Sequence, residues 1–83
     1  MYAAYEIKWT EYERGWGTRP DGKSYHKTIE EADAYIKQHW EDEKKRNGDS
    51  VPDEYSKPGT PTLVEVTKKI YEQIKKEKVV WIH

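Results

Sequence analysis

The chain has 83 residues, a formal net charge of −1 and no Cys; 34% of it is hydrophobic and 37% charged. That length holds one domain, residues 1–83. The longest apolar run, Val79–Ile82, is too short for a membrane helix, the lack of Cys excludes disulfides, Cys-based zinc sites and thiol catalysis, and the near-zero charge argues against a general nucleic-acid coat.

Twelve Leu, Ile and Val residues make a small aliphatic core, but four Trp and seven Tyr add large apolar area. With self-repulsion weak, the chain is expected to fold. Its first five residues show no basic stretch leading into an apolar one, so no signal peptide is expected. The missing Cys fits a reducing cytosol.

Residues 2–10 alternate as a half-buried strand, with Ala3, Tyr5, Ile7 and Trp9 on one side. In residues 11–24, Arg19-Pro20-Asp21-Gly22 reads as a β-turn, with Pro presetting φ and Gly at the fourth position. Residues 24–27 read as a short returning strand, so the first third is a hairpin with a long loop. Thr28-Ile29-Glu30-Glu31 is a capping box. The helix after it carries Ile29, Ala32, Ile36 and Trp40 on one stripe, with Tyr35 and His39 on its flank, and ends at Asn47-Gly48. Residues 49–62 hold three prolines and a glycine and read as an irregular connection pinned by Val51 and Tyr55. Residues 63–66 read as a strand, Thr67 caps a helix to about Lys76, and Val79–Ile82 reads as a last strand. The predicted fold is α+β: a small antiparallel or mixed sheet of three to four strands with two helices on one face, in the order β-β-α-loop-β-α-β.

Charge is unevenly spread. Residues 30–54 carry −5, residues 57–83 carry +3 and residues 1–29 carry +1. Such a dipole can steer a charged partner, or simply reflect solvated helix faces.

Residues 9–26 hold the main candidate site. Tyr12, Arg14, Trp16, Arg19, Tyr25 and His26 interleave aromatic rings and cations around three glycines. Rings of this kind stack on flat ligands or fill protein hot spots, and Arg grips anions bidentately. In this reading Trp16 stacks or plugs, Arg14 and Arg19 clamp an anionic group, and Tyr25 with His26 lines the base. The plainer reading is an ordinary hairpin with Trp9 and Tyr25 in the core. A second candidate is an uncovered sheet face carrying Tyr2, Ala4, Leu63 and either Val79 with Trp81 or Val80 with Ile82, which implies a partner or a homodimer, the latter with Tyr2, Leu63 and Trp81 at its interface, unless residues 49–62 fold over it.

Other constellations carry less. His39 and Glu43 lie one helical turn apart, but no third convergent ligand follows, so no metal and no cofactor is expected. Ser24 and His26 share a strand face near Asp21, yet no nucleophile elbow or oxyanion hole accompanies them, and catalysis is not expected. The acids of residues 30–54 resemble a phosphate mimic only weakly, given the net charge.

Two stretches, Glu13-Arg14-Gly15-Trp16-Gly17-Thr18-Arg19-Pro20-Asp21-Gly22 and Val51-Pro52-Asp53-Glu54-Tyr55-Ser56, are similar to short uncharacterised reading frames of bacteriophages and mobile elements. The resemblance implies a small accessory protein acting in a bacterial host cell. The leading expectation is therefore a non-enzymatic protein that binds and inhibits a host protein through the hairpin loop. The rivals are a sponge for a nucleotide-like small molecule and a homodimeric structural accessory protein.

Overall fold

A computed structural model describes residues 2–13, 15, 17–48 and 54–82. Its elements run β1 (Tyr2–Glu13), β2 (Gly17–His26), α1 (Ile29–Asn47), β3 (Glu54–Pro58), β4 (Thr62–Val66), α2 (Lys68–Glu77) and β5 (Val79–Ile82). All neighbouring strands are antiparallel. β1 is central: β2 pairs along one side, and β4 and β3 follow each other along the other. Between these two, the Gly59 N–H donates to the Lys8 carbonyl at 2.9 Å, so residues 54–66 form one interrupted edge. The sheet is thus five strands but four positions wide, with β5 outside β2.

Three expectations need correction. Residues 54–58 are a strand, not part of an irregular connection; Tyr12↔Tyr55 and Glu11↔Ser56 are among its pairs with β1. Residues 19–22 are not a turn. β1 and β2 pair out to Glu13↔Gly17, and the punctuation residues are absorbed by a bulge between Trp9↔Gly22 and Thr10↔Pro20. Pro20 is tolerated because β2 is flanked by β5 only from Lys23 onward, leaving an edge that needs no donor there. Lastly, the two helices pack on opposite faces. Ile7, Trp9 and Ala32 form one core cluster with Tyr5, Tyr35, Ile36 and Trp81. Ala4, Tyr25, Ile74 and Val80 form the other with Val64, Val66 and Ile70.

That division follows from strand alternation. Tyr5, Ile7 and Trp9 of β1, Ser24 and His26 of β2, and Trp81 of β5 share the α1 face. Ala4 and Glu6, Tyr25, Val80 and Val64 share the α2 face. β1 is therefore buried on both sides near its middle, with Ala4 and Ile7 fully enclosed.

Both helix starts behave as predicted. Thr28 Oγ1 accepts from the Glu31 N–H at 3.1 Å and Thr67 Oγ1 from the Ile70 N–H at 3.2 Å. α1 ends at Gly48 with φ 60°, whose N–H reaches the Lys44 carbonyl. α2 ends at Lys78 with φ 67°, a conformation that usually selects glycine. The buried stripe of α1 is rotated from expectation: Ala32, Tyr35 and Ile36 face the sheet, while Trp40 is 40% exposed.

Candidate binding surface on the distal hairpin

The lengths of the two helices decide what the sheet exposes. α1 has 19 residues, about 28 Å at the helical rise, whereas α2 has 10, about 15 Å. β1, with 12 residues, runs about 40 Å. α1 follows its own face far along the hairpin: Tyr35 and His39 lie against Trp9, and Trp40 approaches Tyr55. The contacts of α2 stay at the other end, with Tyr2 against Tyr71 and Ala4, Val64 and Val80 around Ile74. Among the described residues, no helix lies over the distal half of the α2 face.

On the α1 face a buried polar chain stabilises the sheet. Trp9 Nε1–H donates to Ser24 Oγ at 2.7 Å, and Ser24 Oγ lies 2.9 Å from His26 Nε2. Because Ser24 accepts from Trp9, its own hydroxyl proton is best used by His26 Nε2, which makes the imidazole neutral with its proton on Nδ1. That Nδ1 is buried without a hydrogen-bond partner among the described residues. Burial lowers the His26 pKa below its usual value, and the charge of Glu31 only partly opposes this. Above the chain, Trp81 Nε1–H donates to the Tyr35 hydroxyl at 2.9 Å, and the Trp9 and Trp81 rings lie 5.2 Å apart. Ser24 and His26 do share a face, as their spacing indicated, but both are fully enclosed. No substrate can reach that oxygen without opening the core.

Further out on this face, Glu11, Asp21, His39, Glu43, Ser56 and Trp81 line a shallow groove of about 380 Å³. Its polar groups serve one another. Ser56 Oγ–H donates to Asp21 at 2.7 Å, His39 Nε2 lies 2.7 Å from the Ser56 carbonyl, and Arg46 pairs with Glu43.

The α2 face differs. Lys8, Thr10, Thr18, Pro20, Lys23 and Ile82 are among the residues lining an open groove of about 730 Å³, with Tyr25 also at its lining. Lys8 and Lys23 are direct cross-strand partners, a like-charged pairing that costs stability. Lys57 stands across from Thr10 on the same face. Lys8, Lys23 and Lys57 are all exposed, and none has an ion-pair partner among the described residues. Tyr25 is buried, and its hydroxyl donates to Glu6 at 2.9 Å; burial and that carboxylate push its pKa up to about 12.

The expected site residues are therefore dispersed. Arg14 and Trp16 lie outside the described residues, as does Val51. Tyr12 stacks on Tyr55 at 5.2 Å between ring centroids, so Tyr55 does pin residues 54–58 to the sheet. Arg19 is not an open clamp: Glu11 and Glu13 hold its guanidinium at 3.0–3.2 Å. Tyr25 and His26 cannot line one site, because adjacent strand residues face opposite ways. The supposed interface is also divided. Tyr2 packs on Tyr71 on the α2 face, Trp81 is bonded to Tyr35 of α1 on the other face, and Leu63 is 60% exposed. With a helix on each face, no sheet face is wholly uncovered among the described residues, and the stretch that α2 leaves without a helix holds neither Tyr2 nor Trp81.

The residues that sequence reasoning missed are Lys8, Lys23 and Lys57. Their alternation was visible, but their convergence depends on the bulge register and on the unexpected β3. Among the described residues no cluster of three or more His, Cys, Asp or Glu is placed to hold a metal ion, and no helix is long and apolar enough to cross a membrane. Comparison with protein-family models, with curated proteins and with solved structures gives no match, so the likeness to short phage reading frames rests on its two quoted stretches alone.

Proposed function

We propose that the protein is a non-enzymatic binding domain that recognises another protein through the distal half of its β1–β2 hairpin. One observation carries this reading: α2 is half the length of α1, and the sheet face it leaves without a helix holds three lysines that have no ion-pair partner among the described residues, around a groove with an apolar floor. A fold with so small a core gains little by leaving Ile82 exposed and setting Lys8 against Lys23 unless something binds there. In the phage-type setting that the sequence suggests, the partner is a host protein and binding inhibits it.

Site-specific photo-cross-linking in bacterial extract tests this. A photoreactive residue at Thr18 should give one discrete protein adduct, while the same group at Lys45 of α1 or Lys69 of α2 should not. Adducts from the helices alone, or none at all, would overturn the reading.

A further inference from the structure

We infer that the element bound in this groove is an acidic, extended protein segment. Its carboxylates would rest on Lys8, Lys23 and Lys57, and an apolar side chain on Pro20 and Ile82. This rests on the reading of the distal hairpin as a protein-binding surface and names what the partner must present. Charge complementarity is the first reason. The neighbouring acids are already engaged: Glu6 takes the Tyr25 hydroxyl, Glu11 and Glu13 hold Arg19, and Asp21 takes the Ser56 hydroxyl. The three lysines have no such partners among the described residues.

Their spacing is the second reason. Lys57 and Lys23 stand on strands to either side of β1, two strand spacings apart and offset by two residues along it, about 12 Å between their backbones. One compact anion does not span that distance, whereas charges strung along a chain do. The outer side of β2 from Gly17 to Gly22 has no strand partner among the described residues, about 20 Å of open edge beside the groove. Pro20 and the bulge spoil that edge for regular strand addition, so side chains must carry the recognition. A single nucleic-acid strand fits less well. Its bases need open aromatic platforms, and Tyr25, whose ring faces the groove, is only 8% exposed.

The test is a titration of ¹⁵N-labelled protein with three probes: a ten-residue Asp/Glu-rich peptide carrying one Leu, the same peptide with Lys for each acid, and a ten-nucleotide thymidine oligonucleotide. Inorganic tripolyphosphate serves as a compact anion. The acidic peptide should give saturable shifts at Lys8, Thr10, Thr18, Lys23, Lys57 and Ile82, and the basic one none. Lys8→Glu with Lys23→Glu should weaken acidic-peptide binding about tenfold or more. Both positions are exposed, and unchanged shifts in the core will show that the variant folds. No saturable shift, an unchanged affinity in the variant, or tighter binding of the oligonucleotide or tripolyphosphate would overturn the inference. If Thr18 still cross-links a protein in any of those cases, the binding-domain reading stands and only the acidic segment falls.

Discussion

Replacing Ser24 by Ala removes one oxygen from the centre of the fold. That oxygen accepts from Trp9 Nε1 at 2.7 Å and meets His26 Nε2 at 2.9 Å, and all three side chains are at most 2% exposed. Alanine would strand the Trp9 donor and the His26 acceptor together. Each buried polar group left without a partner costs about 1–3 kcal/mol, so the pair should cost about 2–6 kcal/mol. A domain of this length has a total stability of roughly 4–12 kcal/mol, so the loss is a large share. Trp9→Phe removes the donor but leaves the Ser24–His26 bond, and should cost less through this chain. Urea unfolding followed by tryptophan fluorescence and circular dichroism gives both values. If Ser24→Ala shifts stability by less than about 0.5 kcal/mol, the usual range for inert surface changes, the chain does not stabilise the sheet as described.

Other consequences follow from the same structure. Tyr25 should ionise near pH 12 in a 295 nm titration. Its folded pKa lies above its unfolded one, so stability is intact below pH 10 and falls by about 2–3 kcal/mol as pH rises to 12. Glu6→Gln should bring this ionisation earlier. His26 acts in the opposite sense. Its folded pKa is depressed, so the unfolded chain takes the proton first, and stability falls below pH 6.5 with a slope of at most about 1.4 kcal/mol per pH unit. His26→Gln should flatten that slope in urea unfolding between pH 7.5 and 5.5. Lys78→Gly should raise Tm by a few degrees, because a side chain at φ 67° costs about 1 kcal/mol. Arg19→Ala should change stability by no more than about 1 kcal/mol, since its ion pairs are exposed.

Both helices were legible because their signals are local. Thr28 and Thr67 each accept from an N–H three residues on, and Gly48 closes α1, all within one turn of sequence. The alternation of β1 was equally clear. What misled were residues whose usual meaning is overridden by partners far away. Pro20 and Gly22 spell a turn locally, but pairing with β1 draws them into a bulged edge strand. Residues 54–58 look irregular beside three prolines, yet Tyr12 and β1 hold Tyr55 in a ladder. The assignment of helices to faces was not readable at all, since it depends on which cluster Ala32 and Ile74 join. For the candidate site, Arg19 was misjudged because its carboxylate partners, Glu11 and Glu13, become neighbours only once the hairpin extends past Thr10. Tyr25 lines the α2-face groove, whereas His26, the next residue along the strand, is enclosed on the α1 face, so the pair does not form the base of one site.

The bare distal face is most directly tested by lysine footprinting. The protein, free and in complex with the partner cross-linked at Thr18, is treated briefly with an acetylating reagent, and modification at each lysine is read by mass spectrometry. The complex should protect Lys8, Lys23 and Lys57 and leave Lys68, Lys69 and Lys75 of α2 as reactive as in the free protein. Protection confined to α2, with the three hairpin lysines unchanged, would contradict the account.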